Sequence, residues 1–176
     1  MTIEKKFFVQ NHFENKAEWK EVKSIANGFY NYLTSSVIKK ALEEQNIPGA
    51  QSQRIEEVIT PYAEKIGFTS QKKGLFDKYK VSKLTPDYFL PVNDTGILIE
   101  VERGQTTQNN AALKDLWKAH ICEEADYLFL FVPNKLIQNK EGKVAGKPFN
   151  ETVNRISTFY DPINYTNVKG TVIFGY

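Results

Sequence analysis

Only one cysteine, Cys122, stands in the chain, which excludes an internal disulfide and fits a reducing compartment. We read it as a buried structural thiol. With two histidines beside it, His12 and His120, a structural zinc site lacks ligands. No apolar run approaches the roughly 20 residues that span a bilayer, and no signal-like segment opens the sequence, so a cytoplasmic location is expected. An excess of one sign of charge is missing too: 23 basic and 21 acidic residues leave a net charge of +2, so any nucleic-acid surface must come from local clustering. The remainder suits one globular domain: 176 residues, 41% hydrophobic and 25% charged.

Along the chain, Phe7-Phe8-Val9 reads either as an edge strand or as an arm packed on the body. From Lys16 to about Gln45, Trp19, Val22, Ile25, Phe29, Leu33, Val37 and Ala41 recur at threes and fours and predict one long amphipathic helix, stopped by Asn46, Pro48 and Gly49. It covers the sheet or supplies a dimer surface. A second helix is expected from about Gln51 to Ile66, kinked or broken at Pro61. Gln71 to Lys83 is the densest basic stretch, with Lys72, Lys73, Lys78, Lys80 and Lys83 against Asp77 alone. Leu75, Phe76, Tyr79 and Val81 between them read as a strand.

Ala111 to Cys122 predicts a helix with Ala112, Leu113, Leu116 and Trp117 inward and Lys114 and Lys118 sharing another face. His120, near its end, reads as a satisfied interior histidine. Asp126 to Pro133 is apolar throughout and of strand length, as a central strand covered on both sides would be. Lys135 to Lys147 reads as a charged loop, Phe149 to Phe159 as a helix and Lys169 to Tyr176 as a last strand. The expected organisation is a single domain, with an arm and long helix over 1–50, a core over 51–133 and an extension over 134–176.

The stretch Pro86 to Arg103, P-D-Y-F-L-P-V-N-D-T-G-I-L-I-E-V-E-R, organises the rest. Tyr88-Phe89-Leu90 and Ile97-Leu98-Ile99 predict two strands joined by a hairpin turn. The second continues into Glu100-Val101-Glu102, which places two carboxylates on one face by the period of two. Buried charge is costly unless paired or metal-bound, and carboxylates converging across a hairpin suit Mg²⁺. The competing reading makes Glu100 and Glu102 the solvent side of an exposed edge strand.

Pro86-Asp87, twelve residues, then Glu100-x-Glu102 resembles the active-site signature of the PD-(D/E)XK nuclease superfamily, which includes many restriction endonucleases. The likeness extends from about Arg54 to Pro133, where helix, strand, hairpin strands, helix and strand follow in the family's order. It implies an α/β fold with a restriction-endonuclease-like core (αβββαβ, a mixed central sheet flanked by helices) and an extra N-terminal helix. It further implies a metal-dependent DNA endonuclease using Mg²⁺, with Mn²⁺ as a substitute, that works as a homodimer on DNA. Asp87 and Glu100 become the metal ligands with the Val101 carbonyl as a third, and Glu56, or Glu57 beside it, completes the outer shell.

The departure is Glu102, where the family's usual Lys is replaced by a carboxylate. Three explanations stay open: Glu102 serves as base or second ligand, a cation among Arg103, Lys114 and Lys118 reaches in, or the site is dead. Lys72, Lys73, Lys80, Arg103, Lys114 and Lys118 are the candidate nucleic-acid contacts. Three functions follow: a restriction-type endonuclease; a repair, junction-resolving or mobile-element nuclease of the same superfamily; or an inactive DNA-binding module.

Overall fold

The computed structural model describes residues 1–49, 51–79, 81, 84–103, 110–137 and 143–176. In chain order the elements are β1 (Glu4–Val9), α1 (Ala17–Thr34), α2 (Ser36–Gln45), α3 (Gln53–Lys65), β2 (Thr69–Ser70), β3 (Tyr88–Val92), β4 (Thr95–Val101), α4 (Ala111–Ile121), β5 (Tyr127–Val132), β6 (Leu136–Ile137), β7 (Val144–Gly146), α5 (Pro148–Ser157) and β8 (Gly170–Gly175). Six strands form one mixed sheet in the order β1-β8-β5-β4-β3-β2. β5 runs parallel to both neighbours, β4 and β8, while β1, β2 and β3 pair antiparallel. Every residue of β5 is buried, as its unbroken apolar run requires of a strand covered on both faces.

Alternation along the strands divides the core. Ile97, Ile99, Val101, Phe129, Phe131 and Phe174 meet α1, α2 and α3 through Trp19, Phe29, Leu33, Leu42, Ile55 and Ile59. Leu98, Leu128, Leu130 and Ile173 face the other way, towards α4 and α5, against Leu116, Ala119, Phe149 and Ile156. The first and last strands complete the sheet, so Phe7 and Phe8 belong to an edge strand and the 134–176 stretch supplies an inner one.

Several expectations need correcting. The long helix breaks at Ser35, whose extended backbone (φ −62°, ψ 144°) turns α2 onto a new axis, and Val37 is left 75% exposed instead of buried. Pro61 lies within α3 without interrupting it. Both Pro61 and Glu57, whose carbonyl loses its partner, are exposed, so water can satisfy the freed acceptor. Strand structure after β2 stops at Gln71, because Gln71 (φ 45°) and Gly74 (φ 92°) adopt left-handed backbone. Leu75 and Phe76 enter the core from turns. Trp117 points outwards, 43% exposed, since the buried stripe of α4 runs through Ala112, Asp115, Leu116, Lys118 and Ala119.

The turn between β3 and β4 takes two residues, with Asn93 left-handed (φ 50°), and Gly96 is required because a Cβ there would stand 2.5 Å from Phe89 and 2.7 Å from the Glu124 carbonyl. β6 and β7 form a separate ribbon beyond the end of β5, in place of the expected loop. Among the described residues no helix is long and apolar enough to cross a membrane.

Candidate active site

β4 is an inner strand buried along its whole length, which removes the exposed-edge reading of Glu100. Period two puts Glu100 and Glu102 on the same face as Leu98, and Asp87 on the same face as Phe89, so all three carboxylates belong to the α4 side of the sheet. The backbone here is pinned. Asp87 Oδ2 accepts the Val101 N–H at 2.7 Å, tying the start of β3 to the end of β4. The Glu102 N–H donates to the Phe131 carbonyl at 2.8 Å, and the Tyr176 hydroxyl donates to the Glu102 carbonyl at 2.7 Å.

From above, α4 lowers Asp115 and Lys118 into this face. Lys118 Nζ donates to Glu100 Oε1 at 2.6 Å and to the Thr85 carbonyl at 3.3 Å, and lies 3.6 Å from Asp115 Oδ1. Glu100, Asp115 and Lys118 are 4%, 3% and 6% exposed, so the group is shut off from bulk water. Asp115 is close enough to Glu102 to share a proton with it, and among the described residues its buried Oδ2 has no N–H or hydroxyl donor. Glu100 and Asp115 therefore flank the Lys118 ammonium, while Asp87 and Glu102 act on the group through their charge, and an excess of buried carboxylate of that kind is costly while it is not neutralised.

The acid–base properties follow. Burial, and next the nearby Asp115 charge, push Glu100 well above the usual carboxylate range against the opposing pull of Lys118. Burial and the adjacent Asp115, close enough to share a proton with it, raise Glu102 from 4.5 to about 8. Asp87 and Asp115 are also raised, each chiefly by burial. For Lys118 burial works downwards, but Glu100 and Asp115 outweigh it and the ammonium is held above its ordinary range.

The remaining predicted residues distribute unevenly. Glu56 is half-buried on α3, and after burial itself the Asp87 charge is the next cause raising its pKa, so it borders the cluster; Glu57 is exposed. Lys72, Lys73 and Lys114 are exposed, and Lys80 and Lys83 lie outside the described residues. Arg103 is on the opposite face, where its guanidinium donates to Asn46 Oδ1 and the Ile47 carbonyl, so it does not reach the carboxylates. Lys118 is no surface contact and does not share an exposed face with Lys114: four residues advance a helix by about 40° beyond a full turn, and the edge of the buried stripe falls between them. His120 Nδ1 accepts the Asn167 N–H at 3.0 Å, so the ring is satisfied, but it is half-buried with an exposed partner and is not interior. Asp115 was missed, although an acid adjoining Leu116 and three residues after Ala112 occupies a core position, and that misplacement is the signal.

Among the described residues the fold is mixed α/β with a six-stranded sheet and five α-helices, and is consistent with a restriction-endonuclease-like one. No protein-family model matches the chain, and no curated protein matches it in sequence. Among solved structures it is similar to the restriction endonuclease BglII complexed with a DNA 16-mer, at 10% identity and a TM-score of 0.50 over 99% of this chain and 78% of that one.

The donor set suits a hard divalent cation: carboxylate oxygens, of which Asp115 Oδ2, beside Glu102, is buried without an N–H or hydroxyl donor among the described residues. As they lie, no three His, Cys, Asp or Glu side chains among the described residues gather around one point, and Glu100 gives an oxygen to Lys118 instead. Proton and cation should compete for this cluster. The folded state keeps the Glu102 proton that the unfolded chain releases near 4.5, so its stabilising contribution is full below 4.5 and is lost as pH rises through about 8. In EDTA the melting temperature should fall from about pH 5 to about pH 9, and Mg²⁺ should raise it more at the upper end. A flat profile with no metal effect would remove Glu102 and its neighbours from cation binding.

Proposed function

We propose that this protein is a metal-dependent DNA endonuclease that hydrolyses phosphodiester bonds, of the restriction type and acting as a homodimer. The observation that carries it is the buried Glu100–Lys118–Asp115 group, with half-buried Asp87 and Glu102 on the same side of the sheet, on a fold also found in an enzyme crystallised with DNA.

In this reading Asp87, Glu100 and the Val101 carbonyl would hold Mg²⁺ or Mn²⁺, with half-buried Glu56 near them. The bound cation supplies Lewis acidity and a more acidic water, as metals do in phosphodiester hydrolysis. Lys118 supplies from α4 the positive charge that Glu102 cannot, and its ammonium meets the charge growing on the phosphoryl oxygens. Asp115 and the Thr85 carbonyl orient that ammonium. Glu102, which keeps its proton up to about pH 8 in the metal-free protein, would take the proton of the attacking water once a bound cation had made it ionise. Exposed Lys72, Lys73 and Lys114 contact phosphates.

One observation favours an inactive DNA-binding module instead: Lys118 already neutralises Glu100, so the cluster can persist without a cation. The test is incubation of supercoiled plasmid and phage DNA with Mg²⁺, Mn²⁺ or EDTA. Discrete metal-dependent fragments support the restriction reading, and nicking or smearing moves it to a repair, junction-resolving or mobile-element nuclease. DNA binding without cleavage under either metal would establish the module.

A further inference from the structure

Glu102 stands just past the end of β4, which stops at Val101. Support from the sheet thins there. β3 begins at Tyr88, opposite Ile99, so beyond Ile99 the ladder with β3 gives way to the Asp87 carboxylate on the Val101 N–H. On the β5 side the last rung among the described residues is the Glu102 N–H on the Phe131 carbonyl.

The Glu102 carbonyl is taken by a side chain instead. Tyr176 follows β8, two strands away, and its own N–H donates to the Val132 carbonyl at 3.0 Å. From there its side chain lies across the end of β5 and its hydroxyl donates to the Glu102 carbonyl at 2.7 Å. Burial raises the pKa of that hydroxyl, so it stays a donor across the working pH range.

The two partners come from opposite sides of the sheet. The buried Tyr176 ring packs with the α1–α3 side of the core, whereas the Glu102 carboxylate lies beside Asp115 on the α4 side. Arg103, the next residue, turns to the side away from the cluster and donates to Asn46 Oδ1 and the Ile47 carbonyl. The chain therefore crosses between the two faces at the Glu102–Arg103 peptide, and Tyr176 holds the carbonyl of that peptide. Slack there would shift the Glu102 Cα, and the carboxylate with it.

We infer that Tyr176 is a positioning residue for the hydrolysis: from behind the sheet its hydroxyl fixes the Glu102 backbone, which sets the carboxylate in register with Asp87 and Glu100 and leaves the α4 side free for DNA. The inference rests on the nuclease reading, in which Glu102 is the base. A misplacement of about 1 Å can cost on the order of 10²-fold in rate, and no DNA contact is altered by it.

The test compares wild type, Tyr176→Phe and Tyr127→Phe. Phenylalanine keeps the ring in the core and removes the hydroxyl alone. Tyr127 is the control, because it is buried on the same side of the sheet and its hydroxyl donates to Glu18 Oε1 at 2.6 Å, but at the opposite end of β5 from Val132. With Mg²⁺, Tyr176→Phe should lower kcat for plasmid cleavage by about 10²-fold, with KM and DNA affinity in EDTA close to wild type. In the metal-free protein, hydrogen exchange at the Glu102 amide should become at least about tenfold faster. Tyr127→Phe should change neither. Wild-type kcat in Tyr176→Phe, unchanged exchange at Glu102, or an equal fall of kcat in both variants overturns the positioning role and leaves the nuclease reading standing. Loss of DNA binding in Tyr176→Phe would make the hydroxyl structural and overturn it too. Wild-type protein that cuts DNA with neither Mg²⁺ nor Mn²⁺ overturns the nuclease reading, and this inference with it.

Discussion

Replacing Lys118 with methionine should abolish DNA cleavage and lower the unfolding free energy by about 3–5 kcal/mol, the range for removing one partner of a buried ion pair. The ammonium is 6% exposed and lies against Glu100, Asp115 and the Thr85 carbonyl, so methionine fills the space but leaves the carboxylates facing one another. Some will bind protons instead, and the loss of stability should be greatest at alkaline pH, where holding those protons is hardest. The double variant Lys118→Met/Glu100→Gln separates the roles. Neutralising Glu100 should recover much of the stability in a melting experiment while cleavage stays absent. Recovery of both would reduce Lys118 to a structural counter-ion, and full activity in the single variant would return the missing cation to some other residue.

Asp87→Asn should reduce cleavage by at least about 10³-fold, a loss of roughly 4 kcal/mol of transition-state stabilisation, while DNA affinity stays close to wild type. Asparagine is the informative replacement because its side-chain oxygen can still accept the Val101 N–H that joins β3 to β4. Alanine would remove that bond too and confuse folding with chemistry. Since burial already raises the Asp87 pKa, taking away its charge should leave the metal-free protein equally or more stable. Wild-type cleavage by Asp87→Asn, or loss of folding without loss of charge-dependent metal binding, would remove Asp87 from the site.

The hairpin and its carboxylates were legible because period-two alternation fixes which side chains share a face, and Asp87, Glu100 and Glu102 do share one. β5 was legible for a related reason: six consecutive buried apolar residues admit few other placements. The helical half of the cluster was not. Lys114 and Lys118 look equivalent in sequence, and only the packing of α4 against β4 decides that one is in water and the other among acids. The break at Ser35 left no trace, since no glycine or proline marks it and the apolar spacing continues through Val37. The basic stretch after β2 misled for the opposite reason: strand-forming side chains are present, but the backbone turns at Gln71 and Gly74.

The position of β8 bears on how the protein reaches this state. Residues 87 to 132 bring Asp87, Glu100, Glu102, Asp115 and Lys118 together through a hairpin and a single helical crossover, all short-range events for a folding chain. β8 must then insert between β5 and β1, pairing Lys5 with Phe174 and Leu130 with Ile173. Until it arrives, Tyr127-Leu128-Phe129-Leu130-Phe131-Val132 offers an open edge with high β-propensity and no charge, the kind of segment that recruits a neighbouring chain. By sequence separation the local centre is expected to form before the long-range closure by β8, and any interval between them is when the chain would be most exposed to aggregation.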